Sequence, residues 1–204
     1  MPTTPKASPK VSSKIGLKNF VIAPLTKDDE TGHTYGDLQL VAGAIEATIT
    51  PNNADPDVQY ADDIEFDTLY PDPEIDFNIT TADLPLEIQA LIFGMELDGN
   101  GVLVKSANLA PVYFACGFKS EKADHTYRYV WLYKCRAHPL TEEFGTKEGT
   151  TITRRTQQTQ FTAIKRTHDN QYQAVADEGQ NGFTAEKAAT FLTSVYEKVA
   201  TAGG

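Results

Sequence analysis

The chain has 204 residues and a formal net charge of −10 at pH 7. This length suffices for one domain with a sizeable hydrophobic core, and its two cysteines are too few for a disulfide scaffold. The acidic balance excludes specific recognition of nucleic acid, which needs a surface of clustered lysine and arginine side chains. No apolar run is long enough to cross a membrane, and the N-terminal residues lack the apolar core of a signal peptide. We therefore expect a soluble protein without an export signal.

The charges are segregated along the chain. Residues 1–27 carry five lysines and no acid, residues 28–104 carry 18 acids and no lysine or arginine, and residues 105–204 carry 13 basic and 10 acidic residues. A segment with 18 acids and no lysine or arginine is usually disordered. However, IEFDTLY at 64–70 and EIDFNIT at 74–80 alternate apolar and polar residues with the period of a β-strand. We therefore expect a folded sheet that presents acids on one face.

The elements expected in the N-terminal part are strands joined by turn-rich segments. They are a strand over 17–25 ended by Pro24, a loop over 27–37, a strand over 38–50 with a candidate bulge at Gly43, and a projecting loop or hairpin over 51–63. The two alternating strands described above follow.

One helix is predicted in the middle of the chain. Asp83 can cap its first turn, and Pro85 is tolerated there because the first turn needs no backbone N–H from it. Gly94 can end the helix in a left-handed conformation. Its apolar stripe consists of Leu84, Ile88, Leu91 and Ile92.

More strands and a second helix are predicted in the C-terminal half. The predicted elements are a turn at 98–101, strands over 111–118, 127–135 and 149–166, a polar linker over 167–182, and a helix that begins at Thr184. The last helix must dock its apolar stripe on its own domain or on a neighbour. This stripe consists of Ala188, Phe191, Leu192, Val195 and Val199.

The predominance of strands predicts a mainly β fold of the α+β class. We expect a β-sandwich or rolled sheet with one flanking helix and a C-terminal helix. The expected organisation is a flexible N-terminal arm over 1–14, a β-sandwich domain over 15–166, and a C-terminal linker and helix over 167–204.

The two cysteines are not expected to form a disulfide. If residues 119–126 form the loop between two antiparallel strands, Cys116 lies opposite Tyr129. Cys135 then lies about 20 Å further along, at ~3.3 Å per residue. A disulfide needs its Cα atoms within about 7 Å.

No enzymatic chemistry is supported by the sequence. Acid pairs such as Glu65 and Asp67 fit a solvated strand face better than a glycosidase site, which needs carboxylates opposed across a sugar. The oxygen-rich segments 55–63 and 98–101 could bind calcium, but neither matches the twelve-residue calcium loop. The histidines lack metal-ligand spacing, and no phosphate-binding glycine loop or nucleophile elbow occurs. We therefore predict no enzyme activity, cofactor or metal.

An aromatic stripe at strand spacing is formed by Tyr127, Tyr129, Trp131 and Tyr133. Aromatic side chains stack on sugars and bases, so the stripe could serve a carbohydrate-binding or adhesion β-sandwich. This is the alternative function. At strand spacing, such a stripe is more typical of a core face or of a contact between subunits.

Several segments, taken in order, resemble one protein family. They are IGLKNFVIAPLT, the YADD run after an exposed loop, the helix before DGNGVLV, APVYFACGF, YRYVWLYKC and the glycine-threonine strand that follows. In this order they resemble the major tail proteins of long-tailed bacteriophages (siphophages), the subunits of the tail tube. The resemblance covers residues 15–166, and its most specific parts are 59–63 and 127–133.

The resemblance implies a β-sandwich with a flanking helix that self-assembles into stacked hexameric rings and forms the conduit for DNA ejection. It implies a structural virion protein that is assembled in the host cytoplasm and contacts tape measure, tail terminator and distal tail proteins. DNA would pass without sequence-specific binding. The family's long early loop, which matches 51–63 here, contacts the adjoining ring, and terminal arms do likewise. The lysine-rich start and the extra segment 167–204 leave open which arm makes which contact.

Two sets of residues are candidates for function in such a tube. Acids that line the bore would repel DNA phosphates, whereas lysines would hold DNA by counterion release; a merely solvated sheet face is the alternative. The lumen-facing acidic candidates are Asp62, Asp63, Glu65, Asp67, Asp76 and Asp83. A lysine-rich arm could pair with the acidic segment of a neighbouring subunit. The inter-subunit candidates are Lys6, Lys10, Lys14, Asp55, Asp57 and Tyr60.

Overall fold

The computed structural model describes residues 11–52, 55, 57–61, 64–69, 71–106, 112–146 and 155–199. The strands are β1 (Lys14–Asp29), β2 (Gly32–Tyr35), β3 (Gln39–Val41), β4 (Ala44–Asn52), β5 (Asp57–Ala61), β6 (Ile64–Leu69), β7 (Glu74–Thr81), β8 (Phe114–Lys122), β9 (Tyr127–Ala137), β10 (Gln157–Ile164) and β11 (Gln173–Asp177). The helices are α1 (Leu86–Phe93) and α2 (Ala185–Thr190).

The strands pair antiparallel in one main sheet and one separate hairpin. In the part of the chain that the structure describes, the main sheet has nine strands in the order β2-β1-β8-β9-β10-β7-β4, with β3 also on β1 and β11 also on β9. The separate hairpin consists of β5 and β6.

The main sheet turns back on itself, so that β7 packs across the core from β1 and β8. The ring of Phe77 stacks on that of Phe118 at 5.6 Å between centroids and lies 6.0 Å from the ring of Phe20. Every second residue of β7 is buried and the others are at least partly exposed, as in a sheet with one face on the core. The predicted mainly β fold, an antiparallel sandwich with two helices, is confirmed.

Helix α1 packs on this core where the sequence predicts a helix. Ile88 and Ile92 are buried in the core cluster. The Asp83 carboxylate accepts a hydrogen bond from the Leu84 N–H at 2.8 Å. Gly94 follows the helix with φ of 65°, a left-handed conformation that favours glycine.

Three predictions for the N-terminal strands were wrong. β1 continues through Pro24, because this residue lies where the strand changes partner from β8 to β2, at a point that tolerates a missing N–H. Residues 27–35 of the loop predicted over 27–37 belong to the β1–β2 hairpin. The strand predicted over 38–50 is two strands, β3 and β4, because Gly43 makes a turn between them with φ of 79°.

The register predicted between β8 and β9 was also wrong. β8 extends to Lys122, so that Lys119 rather than Cys116 lies opposite Tyr129. A bulge in β9 turns Cys135 into the core beside Cys116, so the predicted separation of the cysteines does not hold. Both thiols are free. Burial raises the pKa of Cys116, and the neighbouring Cys135 thiol raises it further.

The C-terminal residues belong to the same fold, and the linker predicted over 167–182 was wrong. Strand β11 lies there and pairs with β9. Of the strand predicted over 149–166, β10 forms the second half, and residues 149–154 lie outside the described part.

The last helix starts as predicted but is shorter. The Thr184 hydroxyl accepts a hydrogen bond from the Lys187 N–H, and the helix ends at Thr190. Residues 183–199, called the C-terminal segment below, dock on their own subunit through Ala188 and Phe191. Val199, which was predicted in the apolar stripe, is 76% exposed.

We expect the Gly117→Ala substitution to lower the free energy of unfolding by about 1–3 kcal/mol, because it overpacks the interior. A Cβ at this position would lie 2.8 Å from three ring atoms of the fully buried Trp131. Urea unfolding followed by circular dichroism measures the change. Gly99→Ala is the matched control, since nothing lies within 4 Å of its added Cβ. Equal stability of the two variants would contradict the close packing of β8 on the indole ring.

Candidate assembly surfaces

The β5–β6 hairpin holds four of the candidate residues from the acidic segment. Among the described residues its strands pair only with each other, so residues 64–69 and 74–80 lie in different sheets and not on the shared face that the sequence predicts. A strand pattern fixes the local conformation but not the partner strand. Asp57 and Tyr60 lie on β5, Glu65 and Asp67 lie on β6, and the exposed Asp55 precedes the hairpin. Asp62 and Asp63 lie outside the described residues.

The outer face of β4, β7 and β10 carries Asp76 among neutral polar side chains. Three rows of paired residues cross the strands: Glu46, Thr80 and Gln158; Thr48, Asn78 and Gln160; and Thr50, Asp76 and Thr162. A groove of about 720 Å³ runs along this face. His138 contacts the Thr162 hydroxyl at 2.7 Å, and that hydroxyl donates to the Asp76 carboxylate at 3.4 Å. The face therefore presents amides and hydroxyls more than acids.

The remaining candidates are spread over the fold. Asp83 is exposed beside the start of α1. Lys14 is exposed at the first position of β1, opposite Lys122. Lys6 and Lys10 lie outside the described residues. The described candidates therefore do not converge on one pocket, as expected for residues that act on extended surfaces.

The aromatic stripe faces the C-terminal segment. Tyr129, Trp131 and Tyr133 are at most 4% exposed, and the indole N–H of Trp131 donates to the Phe191 carbonyl at 2.9 Å. The stripe is therefore a core face. A sugar cannot reach these three rings, so the interpretation as a carbohydrate platform was wrong.

Most basic residues of the second half are paired with acids. Arg128 binds Asp177 through two hydrogen bonds of 2.6 Å, and other pairs join Lys105 to Glu142, Lys122 to Asp177, Lys134 to Asp28, Arg155 to Glu143 and Lys165 to Asp72. In contrast, several acids from residues 28–104 make no ion pair with another described residue. They are Glu46, Glu74, Asp76, Asp83, Glu87, Glu96 and Asp98.

A buried charged cluster, which sequence reasoning missed, ties the C-terminal segment to the sheet. Arg166 is fully buried and donates to both oxygens of Asp169, at 3.0 and 2.5 Å, and of Glu197, at 2.8 and 3.0 Å. Its guanidinium lies 4.1 Å from the centre of the Tyr133 ring. Burial alone would lower the pKa of Arg166, but the two carboxylates outweigh it and raise the pKa. Asp169 is three residues from Arg166, but Tyr133 and Glu197 are more than 30 residues away in sequence, so no spacing pattern indicates the cluster.

The same cluster contains three side chains of metal-ligand type. His33 Nε2 lies 2.9 Å from a Glu197 oxygen, and ligand atoms of His33, Asp169 and Glu197 lie within 4.8 Å of one another. However, the Arg166 guanidinium already neutralises the two carboxylates. The arrangement therefore fits an ion-pair network better than a metal site.

Asp28 makes a second buried ion pair, and we expect it to contribute to the acid dependence of stability together with Asp177, whose pKa is also lowered to about 2. Burial would raise its pKa, but hydrogen bonds from Lys134 and from the N–H groups of Thr167 and His168 outweigh it, so the pKa falls from 3.8 to about 2. A lowered folded-state pKa stabilises the fold above about pH 4, and this contribution of about 2 kcal/mol is lost as the pH falls towards 2. We expect Asp28→Asn to lower the melting temperature at pH 7 and to flatten its decrease between pH 4 and 2.

Thermal unfolding at a series of pH values tests this expectation. Asp29→Asn is the control, because the Asp29 side chain is 53% exposed and exposed pairs contribute little. If Asp28→Asn retained the acid dependence of the parent protein in full, Asp28 would not contribute to it.

The comparison with known protein families agrees with this distribution of residues over surfaces. The family described as phage tail tube protein matches residues 29–201. The chain belongs to the phage tail tube protein family. The resemblance predicted from the sequence is confirmed, and the protein is a structural component of the phage tail.

Neither the curated proteins nor the helices of the structure add to this assignment. No curated protein matches the chain significantly. No helix in the described residues is long and apolar enough to cross a membrane. The match to the tail tube family includes β11 and all of the C-terminal segment, beyond the 15–166 range of the predicted resemblance.

Proposed function

We propose that this tail tube protein closes into hexameric rings, that the rings stack into a hollow tube, and that the tube is the conduit for DNA ejection. The proposal is supported by acids such as Glu74 and Asp76. These acids have no cationic partner among the described residues of their own subunit. Uncompensated like charges cost stability in an isolated subunit. They are useful in a wall past which DNA must slide. The protein acts through its surfaces and needs no catalytic group, cofactor or metal.

Acids in the bore repel the DNA phosphates. Screening limits this repulsion to about 8 Å at physiological salt, so the acids act on DNA close to the wall and keep it hydrated. Lysines in these positions would retain DNA by counterion release. The proposed lumen set is Asp62, Asp63, Glu65, Asp67, Asp76 and Asp83.

Contacts between subunits use the projecting hairpin and the basic N-terminus. Asp55, Asp57 and Tyr60 are proposed to contact the adjoining ring. Lys6, Lys10 and Lys14 are proposed to pair with the acidic segment of a neighbouring subunit. Deletion of residues 1–14 is then expected to weaken tube growth and make it less sensitive to salt, and full polymerisation of the truncated protein would contradict this contact.

The tube subunit is proposed to assemble in the host cytoplasm and to meet three other tail components. These are the tape measure protein inside the tube, the tail terminator at one end and the distal tail protein at the other. DNA passes without sequence-specific binding.

Negative-stain electron microscopy over a concentration series tests the proposed assembly. We expect rings or hollow tubes at high concentration, with six subunits in averaged end-on views. Another symmetry would contradict the hexamer alone. A monomer at every concentration, also after addition of purified tail-tip complexes, would contradict self-assembly.

The proposed lumen is tested in the phage itself. Combined Asp76→Asn and Asp83→Asn substitutions are expected to slow DNA exit without blocking tube assembly. Glu87→Gln, on the exposed side of α1, serves as the control acid. Unchanged ejection rates in the double variant would remove these two acids from the lumen set.

A further inference from the structure

A pair of lysines lies side by side on the outer face of β1 and β8. Lys18 is directly opposite Lys119 in the strand register, and like charges in this position repel each other. Lys18 pairs with Glu121 at 2.7 Å. Lys119 has no carboxylate partner in the described part of the chain, although most basic residues of the second half do.

The ring of Tyr127 lies beneath both ammonium groups. Lys18 Nζ is 5.5 Å and Lys119 Nζ is 4.6 Å from the ring centre. Lys18 also donates to the Tyr127 hydroxyl at 3.3 Å. The ring holds the two charges in place by cation–π attraction without neutralising them. These three residues, Lys18, Lys119 and Tyr127, form the surface called the lysine pair surface below. Glu121 neutralises Lys18, so the positive charge that remains for an anionic partner is that of Lys119.

A cavity of about 430 Å³ adjoins the lysine pair surface. Lys119 and Tyr127 form one side, and Phe183, Ala185 and Ala189 of the C-terminal segment form another. Ala185 and Ala189 are exposed and small, so a projecting strand can approach closely. Glu178 also lines the cavity, but its carboxylate accepts from the Tyr127 N–H at 3.0 Å and the Tyr129 hydroxyl at 2.7 Å. Its oxygens are therefore engaged within the subunit.

We propose that the lysine pair surface receives the acidic β5–β6 hairpin of a second copy of this chain. The described strands of the hairpin carry no lysine or arginine, and β5 begins with Asp57, one of the acids proposed above for contacts between subunits. The hairpin pairs with no strand of its own main sheet, so it is available to a neighbour. This inference rests on the proposed assembly into rings and names the surface that accepts the hairpin.

The same contact explains why two lysines are kept adjacent at a cost. In the free subunit Glu121 neutralises Lys18 but not Lys119, and a carboxylate supplied by a neighbour neutralises Lys119 and removes the remaining repulsion. Complementary charge at a contact fixes its register and rejects other partners. A head-to-tail contact of this kind joins two different surfaces, as a closed ring or a stack requires.

Carbodiimide cross-linking of assembled tubes tests the contact directly. Tubes are grown from equal amounts of protein with natural and ¹⁵N-enriched isotopes, so that mass spectrometry separates links within a subunit from links between subunits. We expect mixed-isotope links from Lys18 or Lys119 to an acid of the hairpin. Links from both lysines only to acids elsewhere, such as Glu87 or Glu96, would overturn the proposal.

Charge reversal provides an independent readout. Lys119→Glu is expected to raise the critical concentration for assembly at least about tenfold, because it sets like charges against each other. Arg136→Glu is the control, since Arg136 is exposed on β9, outside the lysine pair surface, and makes no ion pair with a described residue. Adding Asp57→Lys to Lys119→Glu should restore part of the loss. Melting temperatures of the monomers exclude unfolding as the cause.

The results distinguish a failure of the proposed assembly from a failure of this contact alone. If the parent protein forms no rings or tubes, the proposed function fails and this contact fails with it. If the parent protein assembles and Lys119→Glu behaves like Arg136→Glu, only the contact is overturned.

Discussion

Replacing Arg166 with methionine should lower the free energy of unfolding by about 3–5 kcal/mol, the usual cost of removing one partner of a buried ion pair. The guanidinium is fully buried and binds both Asp169 and Glu197. Without it, the two carboxylates face each other beside the Tyr133 ring and must be hydrated or protonated. Because Glu197 belongs to the C-terminal segment, the segment should loosen before the sheet unfolds. Urea unfolding at pH 7 measures the total loss, and amide hydrogen exchange locates it.

Lys165→Met is the matched control for this substitution. Lys165 is the preceding residue and pairs with Asp72, but the two side chains are 37% and 67% exposed. Exposed pairs contribute at most about 1 kcal/mol, so this variant should be nearly as stable as the parent protein. A loss below about 1 kcal/mol for Arg166→Met would show that the cluster does not hold the segment.

The Phe191→Ala substitution should destabilise the protein by about 3–5 kcal/mol, as is typical of a large aromatic residue removed from a core. Phe191 is 5% exposed. Its ring lies 5.5 Å from that of Tyr129 and 4.9 Å from that of Tyr196. Its carbonyl accepts the indole hydrogen bond of Trp131. Loss of the side chain leaves a cavity over the aromatic stripe and lets water reach the indole ring.

The chain has a single tryptophan, so its fluorescence reports this change directly. We expect the emission maximum of Phe191→Ala to shift to longer wavelength under conditions in which circular dichroism shows an intact sheet. Val199→Ala removes an apolar side chain that is 76% exposed and should leave emission and stability unchanged. An unshifted maximum in Phe191→Ala would mean that the segment does not shield Trp131.

The sequence predicts best those elements that bury one face or end at a specific residue. EIDFNIT alternates strictly and forms β7 over nearly the predicted range. Helix α1 ends at Gly94 because only this kind of residue adopts the left-handed cap without strain. The aromatic residues of β9 share a face, as their spacing of two indicates.

The sequence does not show which strands pair with each other, so features that depend on strand pairing were not predicted. IEFDTLY has the same alternation as β7 but pairs only with β5. Strand β11 has only five residues and is partly or fully exposed along its length, so it shows no alternation of buried apolar and exposed polar residues and was taken for a linker. One bulge in β9 moves Cys135 to the other face, and no local pattern reveals a bulge of this kind.

The sequence predicts which residues carry the charges of the candidate surfaces, but not where these residues lie in the fold. The lysine-free stretch is visible in the sequence, and it contains both the hairpin acids and Asp76. Their separation onto a hairpin and a sheet face follows from tertiary pairing. The Arg166 cluster joins residues from position 33 to position 197, and such distant residues show no recognisable spacing.

The separate pairing of β5 and β6 also bears on the kinetics of polymerisation. A two-stranded sheet by itself is only marginally stable in water, so a subunit must give up conformational entropy when its hairpin docks on a neighbour. The first subunits that associate pay this entropic cost before they gain the contact free energy of a completed ring. We therefore expect a pronounced lag before growth, which preformed ends abolish. Such a barrier would keep free subunits dispersed until a template defines where a tube begins.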